Sequence, residues 1–353
     1  MRLDKRVNVP PLALVLATLG AVAFTLLVSS LLVFWAGAPI GPTFGHLLRG
    51  GFGSIFAWTE TLTRATPLIF TGLAATVAFR ARLFNIGAEG QLYAGALAAI
   101  AVGGLHGGEG LAAPTPLLFA GTFLAAAVAG ALLLLGPALM KAKLGVDEVV
   151  TTLLLNFVVL LGVSALLDGV MKDPSAMGWP QSVALRGELE LGKLVEGARL
   201  HTGLLAALAL SVAVWALLKF TTFGFDVRAQ GANARAAAFA GVPATRTVVG
   251  VALLSGALAG LAGAVEVAGR TGYVTLDMSP GYGYSGIVIA MLAGLHPLGV
   301  VAAAVFVAGM LVGADTMSRA MGVPTYIADV IVAASLLSVL VAGLLAQYRV
   351  RWR

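Results

Sequence analysis

Leu83-Phe84-Asn85-Ile86-Gly87-Ala88-Glu89-Gly90-Gln91-Leu92-Tyr93 (LFNIGAEGQLY) opens a long apolar run. Asn85, Glu89 and Gln91 are polar there, and Gly87 and Gly90 each weaken a helix by roughly 1 kcal/mol relative to alanine. The surroundings give the stretch its meaning. Hydrophobic residues make up 59% of the 353 residues, charged residues only 11%, and the mean hydropathy is +0.97. Soluble domains carry about 25% charged residues, so water is not the main solvent of this surface. Polar residues and glycines inside a membrane run then read as a broken helix beside a transport pathway.

Runs of about 20 apolar residues recur from end to end, and each can cross a bilayer core of about 30 Å. The expected fold is an all-α polytopic membrane protein. About ten segments are read, near 11–35, 53–79, 83–105, 115–140, 148–168, 202–220, 246–269, 283–295, 298–314 and 326–346. The eighth is short and ends at His296-Pro297, which predicts a half-helix or re-entrant element. The basic start MRLDKR and the Ala36-Gly37-Ala38 triplet imitate a secretory leader. The run Pro11 to Trp35 exceeds a leader's apolar stretch of about 7–15 residues, so it reads as an uncleaved first span.

Charge placement sets orientation. With the N-terminus inside, the inner loops hold Arg2, Lys5, Arg6, Arg80, Arg82, Lys141, Lys143, Lys219, Arg228, Arg235, Arg246, Arg349, Arg351 and Arg353. The outer loops hold half as many: Arg49, Lys172, Arg186, Lys193, Arg199, Arg270 and Arg319. Both termini are therefore expected in the cytoplasm. The whole chain, 1–353, reads as a single transmembrane domain. It has a cytoplasmic N-terminal segment (1–10), an external loop (168–201), a cytoplasmic loop (220–246) and a cytoplasmic tail (347–353). The formal charge of +6 follows from these loops and does not point to nucleic acid.

The chain holds no cysteine, and His46, His106, His201 and His296 are scattered, so no metal site is read. Gly187 to Lys193 imitates a P-loop, but Leu194 stands where magnesium needs a hydroxyl. Gly281 to Gly286 imitates a dinucleotide fingerprint without its strand–turn–helix context, and reads instead as a flexible entry to the eighth segment. No catalytic dyad is read either. The chain is expected to be a transport subunit, not an enzyme, without an ATP site or cofactor of its own.

The inner loop carries the clearest local signal. Asn233 suits an N-cap, Ala234 to Ala240 a helix of about two turns, Gly241 the C′ position, and Pro243 the stop. The resulting helix is small-faced, with Phe239 projecting, and suits docking into a groove on another protein. Within the spans, Thr152 and Asn156 share one helix face. Glu60–Arg64 and Glu266–Arg270 are i,i+4 pairs that neutralise locally, and Gly256, Gly260 and Gly263 form a small face for close helix packing. Tyr273, Tyr282 and Tyr284 are expected at the outer mouth. Two roles stay open for the opening stretch: Asn85 and Glu89 face the pathway, or Asn85 caps the helix and Glu89 pairs with an arginine.

FNIGAEGQ, with GVDEVVTTLLLNF and GLHPLGVV, resembles the corresponding segments of ABC-importer permeases of the branched-chain amino acid and ribose (simple-sugar) family, nearest to its nucleoside permeases. The resemblance covers about residues 55 to 345. It implies that the inner-loop helix is the ATPase-coupling element, through Gly231, Asn233, Ala236, Ala237, Phe239 and Gly241. It supports the importance of the opening stretch without deciding its role; the pathway residues read from the sequence are Asn85, Glu89, Gln91, Thr152 and Asn156, with bonding between helices as the alternative for Thr152 and Asn156. The implied partners are cytoplasmic ATPase subunits carrying ATP and Mg, a second permease chain that is related but different, and an external substrate-binding lipoprotein, all at a bacterial inner membrane. A simple sugar or branched-chain amino acid is the alternative solute. A proton-coupled secondary transporter using Glu89 or Glu266 is the alternative mechanism, and a non-transporting scaffold the third reading.

Overall fold

A computed structural model describes residues 2–5, 11–106 and 110–351. Arg6 and Arg353 of the inner-loop charges fall outside these residues. Thirteen α-helices follow one another: α1 (Pro11–Trp35), α2 (Ile40–Phe52), α3 (Ile55–Arg80), α4 (Ala88–Gly103), α5 (Thr115–Leu144), α6 (Glu148–Asp168), α7 (Gly203–Phe220), α8 (Thr222–Ala232), α9 (Ala234–Phe239), α10 (Ala244–Glu266), α11 (Tyr282–Leu292), α12 (Pro297–Met321) and α13 (Thr325–Gln347). Every one of the ten expected segments corresponds to a helix. Among the described residues, seven helices are long and apolar enough to cross a membrane alone, or eight if the bent pair α1–α2 is one span. The expected count of about ten segments thus holds approximately. Residues 83–87 are not helical, which leaves α4 at 16 residues, and α11 has 11.

The chain falls into two compact units, Leu62–Ala304 on one side and Met1–Thr61 with Val305–Arg353 on the other. In the larger unit α4, α5 and α10 form the centre, and glycines let their backbones touch. A Cβ on Gly260 would overlap the Ala126 carbonyl, one on Gly256 the Gly130 carbonyl, and one on Gly263 the Leu92 carbonyl. The stripe read from the sequence is this contact. It brings backbones together where membrane helices gain little from the hydrophobic effect and rely on close packing.

In the smaller unit α1 and α2 meet at 115°. The segment holding α2 was expected to be part of an outer loop, where Arg49 is counted between the first two spans. It is helical because Thr43, Leu47 and Gly51, four residues apart, bury one face. A two-stranded antiparallel ribbon pairs β1 (Arg2–Lys5) with β2 (Tyr348–Arg351), Arg2 opposite Arg351. The two ends of the described chain thus lie side by side.

The long segment after α6 is a folded cap, not a slack loop. Its backbone bonds to the end of α4 (Leu105 N to Ala184 O, 3.0 Å) and to the connection after α10 (Ser182 N to Val274 O, 2.9 Å; Leu185 N to Gly272 O, 2.7 Å). Its own Val183, Leu185, Leu189 and Leu200 are buried.

Candidate functional site

The site grows from the non-helical stretch between α3 and α4. Gly87 is the N-cap of α4 but supplies no side-chain cap. Asn85 does this work: its Oδ1 accepts from Gly87 N (3.0 Å) and from Gln91 Nε2 (2.9 Å), while its Nδ2 donates to Gln91 Oε1 (2.9 Å) and Ser255 Oγ (3.1 Å). The two amides form a reciprocal pair in which every group has a partner. Ser255, on α10, donates onward to Ala74 O at 2.8 Å. Sequence reading did not single out Ser255, because one serine in an apolar helix carries no periodic signal.

Helix α6 completes the stretch from the other side. Thr152 Oγ1 accepts from Ile86 N (3.2 Å), and Asn156 accepts from Gly90 N (2.9 Å) and donates to Ile86 O (2.8 Å). The four-residue spacing read from the sequence therefore places both side chains on the unwound backbone. At the foot of α6 Asp147 accepts from Val149 N as N-cap (2.8 Å). Glu148 accepts from Phe84 N (3.1 Å) and forms an ion pair with Lys141, which also donates to Arg82 O (2.7 Å). Sequence reading missed this latch: Lys141 and Glu148 are seven residues apart across the α5–α6 turn, but residues 82–84, which they hold, are about sixty residues away.

Glu89 is 4% exposed and Asn85 0%. Glu89 does not have the arginine partner considered for it; its Oε2 accepts from Gly283 N at 2.6 Å, in the first turn of α11. The arginine pairing occurs instead at Glu266–Arg270, in the π-helical turn Val267–Thr271 that ends α10.

This contact corrects the placement of two tyrosines. Glu89 lies in the first turn of α4, just past the non-helical residues 83–87 that follow Arg80 and Arg82. Helix α11 begins beside it, and its far end returns to Arg80, whose Nε donates to Leu295 O at 2.7 Å. Tyr282 is consequently buried, and Tyr284 accepts from Asn156 Nδ2 at 3.1 Å, instead of lining an outer mouth. Tyr273, in the connection before α11, is exposed. The short eighth segment is α11, an 11-residue helix that begins against the first turn of α4.

The five residues expected beside a pathway thus meet at one junction of α4, α6 and α11, with α10 behind. In the described conformation all five are buried. Asn85, Gln91, Thr152 and Asn156 spend their hydrogen bonds on one another and on the interrupted backbone. The arrangement can hold an irregular backbone at membrane depth, where each unpaired group would carry a penalty of several kcal/mol.

The six residues expected to couple to an ATPase lie elsewhere, on α8, α9 and the turn after α9. Asn233 Oδ1 accepts from Arg235 N and Ala236 N, both at 3.1 Å. Gly241 takes φ +88°, with Gly241 N bonded to Ala238 O and Val242 N to Ala237 O, the double bond of a Schellman stop. Cap, helix and stop fall as read, though the helix ends at Phe239 and Ala240 is its C-cap. Phe239 is 97% exposed, Ala236 is exposed, and Ala237 is 6% exposed and packs inward. Gly231 also faces inward, because a Cβ there would overlap the Arg80 carbonyl. The preceding helix α8 was not foreseen. Thr221 caps it, its Oγ1 accepting from Gly224 N at 3.0 Å.

Comparison with known proteins agrees with this architecture. Residues 57–340 match the family model described as branched-chain amino acid transport system, permease component. The guanosine ABC transporter permease protein NupP of Bacillus subtilis is 34% identical over 92% of this chain and 92% of its own length. The glucose ABC transporter permease protein TsgB13 of Haloferax volcanii is 38% identical over 84% of this chain and 79% of its own. The nucleoside ABC transporter permease protein NupB of Lactococcus lactis is 29% identical over 91% and 89%. With its helical membrane fold and a match over most of its length, this chain belongs to the family of permease components of branched-chain amino acid transport systems.

Proposed function

We infer that this chain is the membrane-spanning permease subunit of an ABC importer, that its solute is a nucleoside, and that the whole of 1–353 acts as one permease domain. The observation that carries the reading is the buried polar junction where α4 and α11 meet through Glu89 and Gly283. Irregular backbone at membrane depth is a feature of transport sites. Asn85, Glu89, Gln91, Thr152 and Asn156 line the pathway when the junction opens, trading internal hydrogen bonds for bonds to the passing solute. Three amides and two tyrosine rings suit a solute with base edges, a π face and ribose hydroxyls. The nucleoside assignment draws on the guanosine and nucleoside permeases that resemble the chain along nearly its whole length.

ATP and Mg act on separate cytoplasmic ATPase subunits, which grip α9 through Phe239. Asn233 and Gly241 shape that helix, Ala236 lies on its exposed face, and Gly231 and Ala237 seat it. A second, related permease chain and an external binding lipoprotein complete the complex, in a bacterial inner membrane with both termini of this chain in the cytoplasm. The pairing of β1 with β2 supports the two ends sharing one side.

The glucose permease relative favours one second reading, a simple-sugar solute. Uptake by proteoliposomes containing the complete complex separates the readings. Guanosine accumulates with ATP and is displaced by other nucleosides but not by glucose or leucine. Displacement by glucose would establish the sugar reading. Uptake that ends when the proton gradient collapses, with ATP still present, would replace the importer by a secondary transporter.

A further inference from the structure

Helix α11 is held at both poles by one short stretch of chain. Its N-terminal backbone N–H of Gly283 donates to Glu89 Oε2 at 2.6 Å. Beyond its C-terminus the backbone turns back, Leu295 N bonding to Ala290 O at 2.8 Å, and Leu295 takes φ +58°, unusual for a branched side chain. The Leu295 carbonyl is fixed there by Arg80 Nε at 2.7 Å. A carboxylate thus stands at the positive end of the helix dipole and a guanidinium beyond the negative end. Both belong to 80–89, the end of α3, the non-helical connection and the first turn of α4.

Arg80 has a second contact, on its backbone. Gly231 of α8 packs so closely that any Cβ would overlap the Arg80 carbonyl oxygen. Helix α8 passes through Asn233 directly into α9. A displacement of α9 therefore reaches α8, then the Arg80 backbone, then Leu295 and α11, with hard backbone contact or a charged hydrogen bond at each step.

We propose that Arg80 is the positioning residue through which movement of the cytoplasmic α8–α9 segment is passed to the half-helix α11. Glu89 keeps the upper end of α11 in step with the lower. The inference rests on the importer reading above, and its test separates the two.

The chain has no cysteine, so paired spin labels can be placed without background. Exposed positions are available at Ala232 on α8, His296 after α11 and Val170 in the external segment. In the reconstituted complex, the Ala232→Cys/Val170→Cys and His296→Cys/Val170→Cys pairs both change distance on ATP binding. With Arg80→Gln the first pair still changes and the second does not, and Arg80→Lys restores part of the second change. Solute moved per ATP hydrolysed falls about tenfold in R80Q, within the usual range of coupling between sites, while hydrolysis stays within about twofold. If R80Q does not assemble, R80K alone serves, with a loss of about two- to fivefold in that ratio. An unchanged ratio, or a His296 distance that still responds fully in R80Q, overturns the role of Arg80. If the Ala232 pair is insensitive to ATP even with Arg80 in place, the importer reading fails and this inference with it.

Discussion

Asn85 shows what a single polar residue does at membrane depth. Its amide serves Gly87 N, both ends of the Gln91 amide and Ser255 Oγ at once. Removing it leaves several buried groups without partners, each worth about 1–3 kcal/mol. Asn85→Ala should lower stability by roughly 3 kcal/mol, seen as a drop in the melting temperature of the detergent-solubilised complex. Asn85→Gln, which keeps the amide but overfills the space, should melt between the two. His201 is the second residue of this kind, outside the spans. Its Nδ1 accepts from Gly203 N at 3.2 Å, so Nε2 carries the proton, and Nε2 has no partner. Burial, then the charge of Arg270, depress its pKa to about 4 from 6.5. A depressed histidine binds fewer protons folded than unfolded, so stability is complete above about pH 6.5 and falls as pH drops toward 4. The loss is of order 3 kcal/mol. His201→Asn retains an acceptor for Gly203 N without titrating, and should flatten melting temperature against pH across that window.

At the scale of elements, α9 is a helix too short to hold itself. It depends on Asn233 at its start and Gly241 at its stop. Asn233→Ala should weaken it by about 1 kcal/mol, and Gly241→Val should strain the φ +88° turn by about as much. Both should reduce ATPase capture by the purified permease without preventing membrane insertion. Phe239 offers a cleaner test. Full burial of a large apolar side chain contributes roughly 1.5–3 kcal/mol, so Phe239→Ala should weaken ATPase binding by at least about tenfold. Binding at wild-type affinity would remove Phe239 from the interface. Ala237→Glu is a poorer probe than the loop sequence suggests, because Ala237 packs inward and a buried carboxylate would disturb the helix itself.

For the whole molecule, the decisive contact is the meeting of α10 with α4 and α5. Gly260→Leu places a branched side chain where the Ala126 carbonyl already sits, and its overpacking should cost about 3 kcal/mol or more. The measurement is the yield of monodisperse protein after extraction, with Gly260→Ala expected between Leu and wild type. Orientation is tested at the same scale. Single cysteines at Ala232 and Val170 should react with a membrane-impermeant thiol reagent from opposite faces, Ala232 only from the cytoplasmic side. Labelling of both from one side would overturn the topology drawn from lysine and arginine placement.

Much of this protein is legible in its sequence because the signals are local. Composition excludes water as the main solvent, apolar length marks the helices, and cap, alanine run and stop define α9. The short eighth segment announces a half-helix, and the glycine spacing on α10 announces close contact without naming its partners. The tertiary structure decided the rest, for a physical reason. A polar group in a membrane must find a partner, and sequence says that it needs one but not which. Glu89 might have met an arginine; it meets the backbone of α11, almost two hundred residues away. Tyr284 might have anchored at an interface; it meets Asn156. Helix α2 follows from a buried face that its glycines and proline conceal. Partners brought together from distant points in the chain are fixed by packing, and packing belongs to the folded molecule.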